Sequence, residues 1–154
     1  VTVEVRPINR ARASVICIHG ETILAVRLRD PVSLVTNLFP PGGAIEVHET
    51  PVQAAVREAL EETGITVRPI AELTPFVTHY PFVWGGKEYQ CETWWVTATC
   101  DDSWTQSGRV EDASYNLGWE WVLLTQVPNT FSHSRPILDA VQSAIESWKQ
   151  LRNR

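Results

Sequence analysis

A helix whose two ends are set by local chemistry most constrains this chain. Thr50-Pro51-Val52-Gln53 puts a hydroxyl at the N-cap, a proline at N1 and a glutamine at N3, so that cap and N3 side chains can satisfy each other's orphan N–H groups. Thr63-Gly64 puts a glycine where helices turn left-handed and stop. The two signals predict a helix from about Pro51 to Thr63. At about 100° per residue, Val52, Ala55, Val56, Ala59 and Thr63 share one side, which would anchor it. Glu58 and Glu62 lie one turn apart, and Glu61 lies one turn from Glu58 by the other helical spacing. These acids occupy the last two turns, where the macrodipole opposes negative charge, and no lysine lies among them. Upstream, Pro40-Pro41-Gly42-Gly43 is a stiff approach followed by a turn whose backbone can come close to a ligand. A divalent cation would relieve the repulsion, and an all-oxygen set suits Mg²⁺ or Mn²⁺ rather than zinc.

The remaining segments read as a mixed α/β single domain over residues 1–154. Ala13–Ile18 is a short apolar run, expected as a buried strand. Thr22–Arg29 alternates: Leu24, Val26 and Leu28 on one face, Ile23, Ala25, Arg27 and Arg29 on the other, which becomes basic towards its end. Leu34–Phe39 can hold a short extended piece. Ile65–Ile70, Leu73–Val83, Glu88–Cys100 and Trp119–Leu124 read as extended, with Trp84-Gly85-Gly86-Lys87 as a hairpin turn. Asp101–Asn116 is polar and aperiodic, a loop long enough to act as a lid. Ser134–Leu151 carries a cap, an early proline and an apolar stripe through Ile137, Val141, Ile145 and Trp148, the marks of a second helix.

Composition narrows the class of function. A net charge of −5 argues against a broad nucleic-acid surface, although a bound cation would still let an acidic chain hold a polyphosphate. No stretch approaches the length of a membrane span, and Val1–Arg12 lacks the apolar run of a signal peptide. Cys17, Cys91 and Cys100 have no metal-binding spacing and are expected as buried, reduced thiols in a cytoplasmic protein.

The spacing Gly43, five residues, Glu49, seven residues, Arg57-Glu58, two residues, Glu61-Glu62, one residue, Gly64-Ile65 resembles the Nudix box, and every fixed position matches. Ala59 is the one departure, a small residue where a bulky aliphatic one is usual. The resemblance implies a three-layer α/β/α sandwich with a mixed β-sheet. It also implies a Mg²⁺- or Mn²⁺-dependent pyrophosphohydrolase acting on a nucleoside diphosphate linked to another moiety. Carried over by position, Glu58, Glu61 and Glu62 are metal-binding carboxylates, with Gly42 or Gly43 adding a carbonyl. Arg57 would orient a carboxylate, with Glu49 as its partner.

Other roles stay open on the sequence. The general base is a helix glutamate or one of Glu92, Asp101, Asp102, Glu111, Asp112 and Glu120, with Glu111 preferred for its place in the long loop. Arg27 or Arg29 could contact a phosphate. Tyr80, Phe82, Trp84, Tyr89 and Trp104 are candidates for stacking on a base. In the family, a proline shortly beyond the box accompanies ADP-ribose hydrolysis, and a tyrosine slightly further accompanies dinucleoside polyphosphates. Tyr80-Pro81 falls in that window and tilts the reading to ADP-ribose or another nucleotide sugar. Dinucleoside polyphosphates, (oxidised) nucleoside triphosphates and a non-catalytic nucleotide-binding module are the alternatives. The expected partner is a small nucleotide, with no nucleic acid and no membrane. Many family members form homodimers, but no seam is readable here.

Overall fold

The computed structural model describes residues 6–104 and 114–154. Among the described residues, eight strands form one mixed sheet: β1 (Ile8–His19), β2 (Thr22–Arg29), β3 (Thr36–Phe39), β4 (Gly42–Ala44), β5 (Arg68–Pro69), β6 (Phe76–Trp84), β7 (Lys87–Thr99) and β8 (Asn116–Leu123). The helices are α1 (Pro51–Thr63), the short α2 (Val127–Thr130) and α3 (Arg135–Arg152). β1 runs parallel to β7 from Ile8↔Tyr89 to Cys17↔Ala98, while the other pairings are antiparallel.

α1 and α3 cover opposite faces of the sheet. Ala54, Ala55 and Ala59 of α1 pack with Ala13, Val15, Cys17, Leu24 and Val26. Ile137, Val141, Ala144, Ile145 and Trp148 of α3 pack with Ile16, Ile18, Ile23, Ala25 and Trp95. The result is the expected α/β/α arrangement, and it explains why β2 is apolar on both faces at its start. Ala59 is fully buried, so the departure from the box is met by close approach of α1 to the sheet. The helix ends follow from the local chemistry: Thr50 and Gln53 form the capping box, and Gly64 sits at φ 77°.

Two elements differ from expectation. β1 starts at Ile8, five residues before the apolar run, because Ile8–Arg12 is held by main-chain pairing to β7 rather than by an apolar face. Gly42–Ala44 is a strand, not a turn, and takes the place beside β1 at Arg12–Ser14. β2 pairs with β1 only at Ile18↔Ile23 and His19↔Thr22. Beyond that point the two strands have different neighbours, and a cavity opens between them. All three cysteines are buried and unbridged. No helix among the described residues is long and apolar enough to cross a membrane.

Candidate active site

The cavity, about 340 Å³, joins three kinds of side chain. Glu58, Glu61 and Glu62 of α1 form one end, Arg10 and Arg12 of β1 line the middle, and Phe39, Phe82 and Trp84 form the aromatic end.

Arg57 organises the acidic end. Its Nε and Nη2 donate to Glu49 Oε2 at 2.7 Å and Oε1 at 2.9 Å, a two-pronged pair of the kind only arginine makes. Nη1 donates to Glu58 Oε1 at 2.9 Å and to Glu61 Oε2 at 3.2 Å, and Nη2 also reaches the Ala44 carbonyl at 2.9 Å. Glu49 is the partner that the family resemblance implies. The bonds from Arg57 hold its carboxyl down at about 2, and the same contacts push the guanidinium further up. Arg57→Lys should keep the charge and lose the fork. Activity should fall about tenfold to a hundredfold, the scale on which groups behind metal ligands act, with the thermal midpoint nearly unchanged. A rate within twofold of the parent in a steady-state assay would remove Arg57 from this role.

Glu62 has the opposite environment. Its Oε1 accepts the Gly42 N–H at 3.3 Å, and its Oε2 is buried with no hydrogen-bond partner among the described residues. Burial, then the adjacent Glu58 carboxylate, raise its carboxyl to about 8, against a smaller opposing pull from Arg12. The Gly43 position keeps this pocket open, since a Cβ there would lie 2.4–2.6 Å from the Glu58 carboxylate atoms. An orphaned buried oxygen, a neighbouring carboxylate and a side-chain-free strand fit a small hard cation. Glu61 stands apart at 56% side-chain exposure, held by Arg57. Among the described residues no three acidic, histidine or cysteine side chains converge at ligating distance, so the expected trio is a close pair plus one outlying acid.

Tyr80 and Phe82–Trp84 have different surroundings. Tyr80 is 3% exposed, donates to or accepts from Thr93 Oγ1 at 2.8 Å, and lies under Trp95, so it forms floor rather than a free stacking face. Phe82 and Trp84 lie nearly parallel, 12° apart with centroids at 6.4 Å, and Phe39 meets both edge-on. They present an aromatic wall to the cavity.

The basic face of β2 does not reach the cavity lining. Arg27 is captured by Glu120 of β8 at 3.1 Å, and Arg29 is exposed. The arginines that do line it, Arg10 and Arg12, went unnoticed in the sequence because they precede the apolar run. Arg12 Nε is buried without a partner among the described residues. Tyr115 also lines the cavity, and burial followed by the charges of Glu62, Glu58 and Glu61 raises its hydroxyl pKa. Asn116 Nδ2 donates to the Glu62 carbonyl at 3.0 Å, tying the start of β8 to the end of α1. Of the candidate bases, Glu92 is near His79 and Trp94, Asp101 binds Ser103, Asp102 pairs with His19, and Glu120 pairs with Arg27. None of these four lines the cavity. Glu111 and Asp112 lie outside the described residues.

A family model described as the NUDIX domain matches residues 8–141. A NUDIX hydrolase from Nitrosomonas europaea superposes with a TM-score of 0.62 at 20% identity, over 94% of this chain and 90% of that one. An ADP compounds hydrolase gives a TM-score of 0.64 at 16% identity over 97% and 77%. An Ap4A hydrolase from C. elegans gives 0.58 at 18% identity over 92% and 98%. At these identities the structural likeness speaks to the fold.

Proposed function

This chain belongs to the Nudix family, and on that footing we propose that it is a pyrophosphohydrolase that cleaves the pyrophosphate bond of a nucleoside diphosphate linked to another moiety, with ADP-ribose or a nucleotide sugar preferred. The observation that carries this reading is the order of groups along one cavity: acids, then two arginines, then an aromatic wall. An anionic chain with an aromatic head matches that order.

Glu58 and Glu62, with Glu61 and the Gly42–Gly43 backbone beside them, would hold the Mg²⁺ or Mn²⁺ that the family uses. Such an ion neutralises pyrophosphate charge, lowers the pKa of water and stabilises the leaving phosphate. Arg10 and Arg12 bind the phosphate oxygens, which gives Arg12 Nε its missing partner. Phe82 and Trp84 stack on the base. Water adds to one phosphorus, the bridging P–O bond breaks, and the water proton passes to a carboxylate. We assign that last role to Glu111 from its place in the polar, aperiodic stretch of sequence 101–116. Glu111→Gln should cut kcat by about two orders of magnitude or more, within the range of general-base catalysis. An unchanged rate would move the role to the helix glutamates, since Glu92 and Glu120 stand away from the cavity.

The Pro81 position and the burial of the Tyr80 hydroxyl both favour the nucleotide-sugar class over dinucleoside polyphosphates. The likeness to an ADP compounds hydrolase and to an Ap4A hydrolase makes both classes worth assaying. The test is product release from ADP-ribose, nucleotide sugars, dinucleoside polyphosphates and (oxidised) nucleoside triphosphates, with Mg²⁺ and after chelation. Fastest metal-dependent turnover is expected on the first two. Fastest turnover on a dinucleoside polyphosphate would establish the alternative class, and nucleotide binding without any turnover would make the chain a binding module. We further assign residues 1–154 to one domain acting in the cytoplasm on a small nucleotide, without nucleic acid or membrane. Sedimentation would test the homodimer that many relatives form.

A further inference from the structure

Asp30 is 8% exposed, follows β2, and is used by three backbone N–H groups from two separate parts of the chain. Its Oδ1 accepts from Val32 at 2.8 Å and Ser33 at 3.1 Å, which closes the turn between β2 and β3. Its Oδ2 accepts from Gly85 at 3.0 Å, at the tip of the β6–β7 hairpin and 55 residues away. The bonds from Val32 and Gly85 hold its carboxyl below the usual range. The Asp30 main chain completes the turn, donating to Val35 at 3.0 Å and accepting from Leu34 at 2.9 Å. The hairpin tip rests on the same turn: a Cβ on Gly86 would lie 3.8 Å from both Val32 methyls, and one on Gly85 3.6 Å from Pro31 Cγ.

Gly85 follows Trp84 directly. Behind the Phe39–Phe82–Trp84 wall lies a second cavity of about 640 Å³, whose lining includes Asp30, Val32 and the same three aromatics. The three aromatics therefore border both cavities and are not packed on every side. Packing alone holds such a side chain loosely, because a face without neighbours forfeits its dispersion contacts. The Asp30–Gly85 bond is the charge-assisted tie at that tip.

We propose that Asp30 is a positioning residue that holds Trp84 in register as the base platform, and so sets affinity for base-bearing substrates without taking part in bond cleavage. The proposal rests on the reading of Phe82 and Trp84 as the base-stacking wall.

The test uses the whole chain and Asp30→Asn, which can still serve the Val32–Ser33 turn through its oxygen but turns an NH₂ towards the Gly85 N–H. KM for the preferred nucleotide should rise about tenfold, the scale of one hydrogen bond to a charged group, while kcat stays within about twofold. The Ki of imidodiphosphate, a base-free pyrophosphate analogue, should not change. Trp84→Ala should raise KM in the same base-dependent way, and the double variant should be no worse than Trp84→Ala alone. Asp30→Ser, which keeps an acceptor for the turn but cannot reach Gly85, replaces Asp30→Asn if that variant does not fold. Asp30→Glu, which restores the carboxylate, should recover part of the loss. Additive effects in the double variant, an equal loss of imidodiphosphate binding, or a fall in kcat at constant KM would overturn the role of Asp30. A silent Trp84→Ala would instead overturn the stacking wall itself, and a wild type inactive on every nucleotide would overturn the reaction, leaving binding of a non-hydrolysable nucleotide as the readout for Asp30.

Discussion

Glu62→Gln should lower kcat at least about a hundredfold, equivalent to about 2.7 kcal/mol of barrier, without loss of the fold. Glu62 is the acid whose second oxygen is buried and unpartnered, so it is the group that most needs a cation to be charged at neutral pH. In the metal-free protein its carboxyl sits at about 8 because of burial and the neighbouring Glu58, against an ordinary value of 4.5. The folded state therefore holds a proton there that the unfolded chain has released. The stabilisation is complete below about 4.5 and is lost as the pH rises through about 8. With chelator present, thermal denaturation should show the wild type losing stability across that window and Glu62→Gln losing less. At the upper end the variant should be the more stable by at least about 1 kcal/mol, since a shift of one pKa unit is already worth that much. Excess Mg²⁺ should reverse the order, because an ion that binds only the folded, ionised site stabilises the wild type by mass action. Near-normal turnover of Glu62→Gln, or the absence of any Mg²⁺-dependent stabilisation of the wild type, would sink the assignment of Glu62 as a metal ligand.

Gly42→Ala and Gly43→Ala should fail in different ways although they are adjacent. A Cβ added at Gly42 would lie 2.2 Å from Ser14 Oγ, 2.7 Å from the Ala13 carbonyl oxygen and 2.9 Å from Ser14 Cα. Two of those atoms are backbone of the paired strand and cannot rotate away, so β4 must lift from β1. A cost of about 1–3 kcal/mol or more is expected, the usual range for overpacking, read as a fall of several degrees in the thermal midpoint. A Cβ added at Gly43 meets only the end of the Glu58 side chain, at 2.4–2.6 Å. That carboxylate can swing aside, which keeps the fold and displaces a metal ligand. Gly43→Ala should thus retain its midpoint within a few degrees and lose activity on the scale of Glu62→Gln. Measuring midpoint and kcat for both variants decides it. A stable, active Gly42→Ala, or a Gly43→Ala that unfolds, would contradict the strand register.

The helix was legible from the chain alone because its signals act over a few residues. Thr50, Gln53 and Gly64 set ends that the structure reproduces at Pro51 and Thr63. The pairing of Arg57 with Glu49 was legible too, since both lie in one motif of set spacing. Strand pairing was harder. Ile8–Arg12 has no apolar pattern, and its strand exists only because β7 supplies hydrogen bonds from residues far along the chain. Gly42–Ala44 likewise reads as a turn until β1 lies beside it.

The arginines mark the same boundary. Alternation correctly grouped Arg27 with Arg29 as the basic end of a strand. It could not say that Glu120 would take up Arg27, or that Arg10 and Arg12 would line the cavity that holds the carboxylates instead. The sequence by itself determined the family, the helix and the acids that helix carries, because capping and spacing are short-range. Only the tertiary structure decided which acid is buried, which arginines face it, and which aromatics close the far end. Those outcomes depend on where strands far apart in the chain come to lie side by side, and on the burial and charge that such neighbours impose.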